Sequence, residues 1–393
     1  MKKEESEKKA FLTAVILILL AASGFLLVGR WPRKETLQGE MPPWRPGTPL
    51  PKERVKIGVI YTTDAAVEKN GYSYAHDVGI QKMRKKLELR DDQIIRRSDV
   101  SDLNRAAAEQ AMRECILEGA NVIIATSLFY ADACEKLARE YPGVVFAQTS
   151  GVKNNGVNFT DYDGRIYQAR YLAGVVAGLR TGTGKVGHVA SMGRENSKVT
   201  GAISAFALGV ERVNPSARVY VKVIHRWFDP EGEALAARAL IEAGCDVITH
   251  DSDTPSPLIE ARKAGVWGIG YNTGISPAAS STVITSITLE WEVYYIQLIQ
   301  SVIDGSFTAE PYFGGLKEGL VDLAPLNERL VPPGTAGEAA KARAEIESGV
   351  NGVFDGLMRT SDGRVVGMEG ATLSDAAIRE KMNWYYHNVI ELH

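Results

Sequence analysis

Aromatic, hydroxyl and carboxylate side chains stand immediately after several short apolar runs of this chain. They suit the recognition of a flat heterocycle, because aromatic rings stack on its faces while carboxylates and amides hydrogen-bond its edge. We expect Tyr72 and Trp227 to stack, and Asp253 and Asn272 to contact the edge. Phe129, which follows another apolar run, is a further candidate for the same binding site.

Each of these residues also has an ordinary structural interpretation. Aromatic residues at the start of a loop often pack against the core of their own lobe, which would explain Tyr72 and Trp227 without any ligand. Asp253 stands shortly before Pro255 and would suit the N-cap of a helix. The sequence leaves both interpretations open.

Fragments of other functional motifs are incomplete. Residues 178–185 read GLRTGTGK, but a phosphate-binding loop needs glycine at 179 and a hydroxyl at 186, where this chain has Leu and Val. His250, Asp251 and Asp253 lie within four residues, and no second cluster completes a metal site. No GxSxG sequence supports a hydrolase. We therefore expect a binding protein with no catalytic residue, metal or cofactor.

Seven apolar runs predict the strands that position these residues: 55–61, 121–127, 144–150, 185–192, 219–224, 246–250 and 266–272. The amphipathic stretches 104–118 and 233–243 predict helices between them. This alternation is typical of an α/β fold with parallel sheets and right-handed crossovers. Ligands of such sheets bind beyond the carboxyl ends of the strands, where the candidate residues stand.

The chain has 393 residues, more than one hydrophobic core usually serves. A long helical stretch, 164–180, separates two sets of predicted strands. We therefore expect two lobes of similar build. The first comprises 54–162 with about 276–305, and the second comprises 163–275 with about 306–393.

The N-terminal region resembles a membrane anchor. Residues 11–29 form an uncharged run of 19 residues, long enough to cross a hydrocarbon core. Four preceding lysines favour a cytoplasmic N-terminus and an extracytoplasmic body. We expect 1–30 to be an uncleaved transmembrane anchor and the proline-rich 31–53 to be an extended stalk. A cleaved signal peptide is the alternative, and it leaves the body on the same side.

Composition excludes several classes of protein. Hydrophobic residues make up 45% of the chain, charged residues 24%, and the net charge is −3, as in an ordinary globular protein. Nucleic acid is not an expected partner, because no basic excess is present. The three cysteines have no CxxC spacing, so we expect buried free thiols.

Five segments of the chain resemble the basic membrane protein family: 71–79 (GYSYAHDVG), 171–192, 227–248, 252–257 (SDTPSP) and 314–325 (GGLKEGLVDLAP). That family comprises PnrA-like solute-binding proteins of ABC importers that take up purine nucleosides or bases. The resemblance implies a type I periplasmic-binding-protein fold, with two Rossmann-like lobes joined by a hinge. It also implies an ABC permease as partner.

The resemblance places Tyr72 and Trp227 at the family's two stacking positions, one in each lobe. Asn272 and Leu289 stand where nucleoside binders have an aspartate and a lysine for the ribose, and Ser73 replaces an asparagine. The sequence is therefore more similar to the branch that binds free purines, adenine above all. A membrane-tethered sensor or regulator with the same fold is the alternative function.

Overall fold

The computed structural model describes residues 44–68, 71–272 and 280–393. Its strands are β1 (Ile57–Ile60), β2 (Ile94–Arg97), β3 (Val122–Ala125), β4 (Val145–Thr149), β5 (Phe159–Gly164), β6 (Lys185–Ala190), β7 (Arg218–Val223), β8 (Val247–His250), β9 (Trp267–Gly270), β10 (Val283–Leu289), β11 (Tyr312–Gly314), β12 (Val321–Leu323), β13 (Asp355–Arg359), β14 (Val365–Thr372) and β15 (Val389–Glu391). Its α-helices are α1 (Ala65–Glu68), α2 (Gly71–Lys86), α3 (Arg105–Leu117), α4 (Ala131–Glu140), α5 (Ile166–Arg180), α6 (Ser197–Val213), α7 (Pro230–Glu242), α8 (Ser256–Ala264), α9 (Glu292–Asp304), α10 (Thr335–Glu347) and α11 (Asp375–Lys381).

The seven strands expected from apolar runs are confirmed as β1, β3, β4, β6, β7, β8 and β9. The two amphipathic stretches form α3 and α7, and the long helical stretch forms α5. Strand β5, FTDYDG, was not predicted because two carboxylates interrupt its apolar pattern. All six of its residues are nevertheless buried, since the carboxylates find partners inside the protein.

The first sheet has six parallel strands in the order β11-β5-β4-β3-β1-β2. Neighbouring residues of one strand enter different hydrophobic clusters: Val59 belongs to one and Ile60 to another. Helices therefore cover both faces of this sheet, which explains why its central strands are continuously apolar. We call this sheet with α1–α4 and α9 the first lobe.

The second sheet has seven strands in the order β12-β10-β9-β8-β6-β7-β15, all parallel except β12, which runs antiparallel to β10. We call this sheet with α5–α8, α10 and α11 the second lobe. A separate two-stranded sheet joins β13 to β14. The largest hydrophobic cluster includes Val59 of β1 and Val186 of β6, so a continuous core extends through both lobes.

Three connections cross between the lobes, and they divide the chain differently from the expected boundaries. Strand β5 leads into α5, β10 leads into α9, and β11 leads into β12. Thus 276–305 does not belong to the first lobe as a whole, because β10 pairs in the second sheet while α9 packs on α2. Likewise β11, within 306–393, pairs in the first sheet. Apolar periodicity identifies a strand without identifying its partner strand.

The expected stalk is partly wrong. Trp44 and Leu50 are buried in the core, and the N–H of Leu50 donates to the carbonyl oxygen of Val302 at 3.2 Å. Residues 44–53 therefore pack against α9, because their two large apolar side chains outweigh the extended preference of the prolines. The anchor at 1–30 and the rest of the stalk lie outside the described residues. Within the described ranges, no helix is both long and apolar enough to cross a membrane.

Helices α5 and α6 approach each other unusually closely. A Cβ built on Gly174 would lie 2.0 Å from the carbonyl oxygen of Phe206, and one built on Gly209 would lie 2.0 Å from that of Tyr171. Both obstacles are helix backbone and cannot rotate away. The two glycines therefore set the distance between α5, which leads from the first lobe, and α6.

We expect Gly174→Ala to destabilise the protein by about 1–3 kcal/mol or more, the cost of forcing an additional carbon into a packed interface. The free energy of unfolding, measured by urea denaturation, tests this.

Gly337→Ala in α10 is the matched control, because a Cβ there has no neighbouring atom within 4 Å. Alanine should stabilise that helix by about 0.5–1 kcal/mol. Equal unfolding free energies for the two variants would contradict the close approach of α5 and α6.

Candidate ligand-binding site

Tyr72 is the second residue of α2 and lies beyond the carboxyl end of the first sheet. Its hydroxyl donates to Oγ1 of Thr149, the last residue of β4, at 3.4 Å. The rings of Tyr72 and His76 make an edge-to-face contact, with 4.5 Å between their centroids and an interplanar angle of 81°. Part of the Tyr72 ring remains accessible.

His76 forms a rigid support beneath Tyr72. It is fully buried and stacks on Trp291 with 4.3 Å between centroids and an angle of 17°. Its Nδ1 lies 2.5 Å from the hydroxyl of Tyr295. Burial lowers the pKa of His76 to about 3, so the imidazole is neutral and interacts with Tyr72 as an uncharged ring.

Three candidates of the second lobe lie together. The backbone N–H of Asp253 donates to the carbonyl oxygen of Trp227 at 2.9 Å. Nδ2 of Asn272 donates to Oδ1 of Asp253 at 3.4 Å. The N-cap position of α8 is Pro255 rather than Asp253, and Oγ1 of Thr254 accepts from the N–H of Ser256 at 3.2 Å. Hydrogen bonds therefore link the loops after β7, β8 and β9.

Trp227 and Asn272 both present groups suited to a ligand. The side chain of Trp227 is 37% exposed, unusual for so large an apolar group. Asn272 is buried in the left-handed region, with φ of 68°. Its Oδ1 accepts no hydrogen bond from the described part of the chain. A buried acceptor without a donor among the described residues is able to accept a hydrogen bond from a ligand.

The first-lobe and second-lobe candidates are close enough to interact electrostatically. Burial raises the pKa of Tyr72, and the carboxylates of Asp163 and Asp253 raise it further. Burial also raises the pKa of Tyr271, and the electrostatic influence of Asp253 and Tyr72 raises it further. Tyr72 of the first lobe and Asp253 and Tyr271 of the second lobe are therefore near enough for their charges to influence one another.

Phe129 differs from the other four candidates. It lies in a short 3-10 turn after β3, where its N–H donates to Oγ of Ser127 at 3.2 Å, and its side chain is 52% exposed. Across the described residues, no hydrogen bond, ion pair or ring contact joins Phe129 to the other four. Its role in binding stays a prediction.

Arg170 was not anticipated from the sequence. This fully buried residue of α5 donates from Nη2 to the carbonyl oxygen of His250 at 2.8 Å and from Nη1 to Oγ1 of Thr249 at 3.2 Å. Its guanidinium carbon lies 4.6 Å from the ring centroid of Tyr271. A charged residue within the otherwise apolar stretch of α5 was the available signal. Arg170 orients Tyr271 at the end of β9.

His250 and Asp251, considered above as metal ligands, have structural partners. Asp251 accepts from the N–H of Ser191 at 2.6 Å and lies 3.4 Å from Nε2 of His188. Burial lowers the pKa of His250 to about 4, so it is neutral. Among the residues described, no group of three His, Cys, Asp or Glu side chains is placed to hold a metal ion.

Two cationic side chains connect the lobes. Nζ of Lys198 in α6 donates to the carbonyl oxygen of Ser150 at 2.7 Å and pairs with Asp163. Arg379 in α11 pairs with Asp161 at 2.9 Å. Neither Lys198 nor Arg379 belongs to a recognisable motif, so the sequence contained no signal for these contacts.

Sequence comparisons relate this chain to known proteins. The family model described as ABC transporter substrate-binding protein PnrA-like matches residues 55–348. A purine-binding protein of Brucella abortus is 31% identical over 338 residues, which cover 86% of this chain and 93% of that protein. A putative ABC transporter glucose-binding protein of Haloferax volcanii is 31% identical over 285 residues, covering 72% and 70%.

Solved structures share the fold. An ABC transporter solute-binding protein from Conexibacter woesei has a TM-score of 0.63 at 21% identity, covering 75% of this chain and 97% of that one. A transcriptional activator of the comK gene from Bacillus halodurans has a TM-score of 0.64 at 20% identity, covering 74% and 97%. These likenesses concern the α/β fold alone, whereas the family follows from the longer sequence match. The chain belongs to the Bmp family of PnrA-like ABC transporter substrate-binding proteins.

Proposed function

We propose that this protein captures a free purine base between its two lobes and presents it to an ABC permease. Tyr72 stacks on one face of the base and Trp227 on the other, while Asp253 and Asn272 hydrogen-bond its edge. Supporting this, Tyr72 of the first lobe interacts electrostatically with Asp253 of the second. The chain binds its ligand without converting it.

The polar groups of the cleft match the chemistry of a purine edge. Oδ1 of Asn272 accepts no hydrogen bond from the described residues and suits a ring N–H or an exocyclic amino group. Stacking between two aromatic rings stabilises the bound base by about 1–3 kcal/mol for each face. The purine-binding relative in Brucella abortus supports the same ligand class. The Haloferax volcanii relative makes glucose the appropriate competing ligand in any test.

Ligand release in this proposal depends on motion about the three interlobe connections. Closure would bring Tyr72 and Trp227 onto opposite faces of the base, and a permease would recognise the closed form. The body lies outside the cytoplasm, with Phe129 at the rim of the cleft. A membrane-tethered sensor using the same closure is the alternative, and co-purification with a permease rather than a signalling protein distinguishes the two.

We expect Trp227→Ala to weaken purine binding by about 1–3 kcal/mol, the loss of one stacking face. Trp227→Phe should retain more affinity, because a ring remains. Calorimetric titration measures binding, and the melting temperature without ligand measures folding. Phe228→Ala is the matched control, since Phe228 is adjacent to Trp227 in the sequence and is 60% exposed. Unchanged affinity in folded Trp227→Ala would remove Trp227 from the site.

Free bases should bind more tightly than their nucleosides. Leu289 is buried at the end of β10 and has no polar atom for a ribose hydroxyl, and Asn272 carries no charge. Calorimetry with adenine, adenosine, guanine, guanosine and glucose tests this. Adenosine or guanosine binding as tightly as its base would contradict the preference, and glucose binding alone would contradict the purine proposal.

The N-terminal apolar segment should remain attached in the mature protein. Its 19 uncharged residues suffice to span the bilayer and hold the body at the outer face. Intact mass measurement of membrane-extracted protein tests this proposal. A mature N-terminus beyond residue 20 would show cleavage and exclude a permanent anchor.

A further inference from the structure

Lys198 has an exceptional position between the lobes. It is the second residue of α6, and its Nζ reaches the carbonyl oxygen of Ser150 after β4 and the carboxylate of Asp163 in β5. Ser150 itself adopts the left-handed region, with φ of 65°. An ammonium of the second lobe is therefore held at the carboxyl ends of two first-lobe strands.

The ammonium and the proposed stacking ring contact adjacent residues of the first lobe: Nζ of Lys198 donates to the carbonyl oxygen of Ser150, and the hydroxyl of Tyr72 donates to Oγ1 of Thr149 at 3.4 Å. Asp163, which pairs with Lys198, also raises the pKa of Tyr72. Burial lowers the pKa of Lys198, yet 27% of its side chain remains accessible. The side chain of Lys198 is therefore largely enclosed by protein but still partly accessible.

One N–H group of the Lys198 ammonium has no acceptor among the described residues. An ammonium has three N–H groups, and the described residues supply two acceptors, on Ser150 and Asp163. The paired carboxylate of Asp163 balances the positive charge. The remaining N–H therefore suits a neutral ligand with a strong acceptor rather than an anion.

Resting on the proposed function, we propose that Lys198 donates its remaining N–H to a ring carbonyl of the ligand, so that the protein selects oxopurine bases over adenine. Hypoxanthine carries a carbonyl oxygen where adenine carries an amino group. When this position of the base lies toward Lys198, the amino group of adenine meets the remaining N–H donor to donor and leaves that one N–H unpaired, whereas the carbonyl oxygen of hypoxanthine accepts from it. A hydrogen bond to a charged donor discriminates strongly, because the wrong ligand leaves it unpaired.

Arg379 is the matched control for a purely structural role. Like Lys198 it ties the lobes, donating to the carbonyl oxygen of Gly151 and pairing with Asp161 at 2.9 Å. Its guanidinium carbon lies 4.7 Å from the ring centroid of Phe313. Loss of a contact between the lobes weakens the binding of every ligand alike. Loss of a donor to the ligand changes the ratio of the affinities for different ligands.

The test is calorimetric titration of the full chain with hypoxanthine and adenine. We expect the wild type to prefer hypoxanthine by about tenfold or more, the size of one charge-assisted hydrogen bond. Lys198→Met should abolish this preference, and Lys198→Gln, which keeps N–H donors, should retain part of it. Arg379→Met should lower both affinities while preserving their ratio.

A second variant guards against misfolding. Lys198→Met leaves Asp163 unpaired, so the double variant Lys198→Met/Asp163→Asn removes both charges and should show the same lost preference with a higher melting temperature. Equal wild-type affinities for the two bases, or a ratio unchanged in both lysine variants, would overturn the inference while leaving the purine proposal intact. No binding of either base by the wild type would instead overturn the proposed function itself.

Discussion

The passage from β5 into α5 is the constraint on which the rest of the structure depends. Strand β5 pairs with β4 and β11 in the first sheet, and α5 packs on α6 of the second lobe. Asp161 and Asp163 at the end of β5 receive the cations of Arg379 and Lys198. Arg170, one and a half turns into α5, orders the strand ends of the second sheet. One short segment thus organises both walls of the cleft.

Burying so many charges is tolerable only because each finds a partner. Asp161 is 1% exposed, and burial raises its pKa even though it is paired with Arg379. Removing one partner of a buried ion pair typically costs about 3–5 kcal/mol, because the other charge is left uncompensated. The charges therefore fix how β5 meets the second lobe more than they add to net stability. Each cation and its carboxylate also neutralise one another at the carboxyl end of β5.

Imidazoles contribute to this neutrality. Burial lowers the pKa of His76 to about 3 and that of His250 to about 4, so neither is charged at physiological pH. His76 lies between Tyr72 and Trp291, and Trp291 immediately precedes α9, the second of the three interlobe connections. The proposed stacking ring thus rests on a residue of the crossover. Movement about that crossover and the position of Tyr72 are physically linked.

The sequence by itself determined the α/β class, seven strands and three helices, because apolar runs and amphipathic periods are local properties of the chain. It also placed Trp227, Asp253 and Asn272 in the loops that follow strands, where parallel sheets bind ligands, whereas Tyr72, expected in the loop after the first strand, lies in the first turn of α2. Only the tertiary structure decided that β10 belongs to the second sheet and β11 to the first, since pairing is a long-range choice. It alone revealed Lys198 and Arg170, because a buried cation is recognisable only with the distant carboxylates and carbonyls that surround it. Residues 44–53 illustrate the same limit: prolines predict an extended spacer locally, whereas burial of Trp44 and Leu50 against distant helices decides their structure.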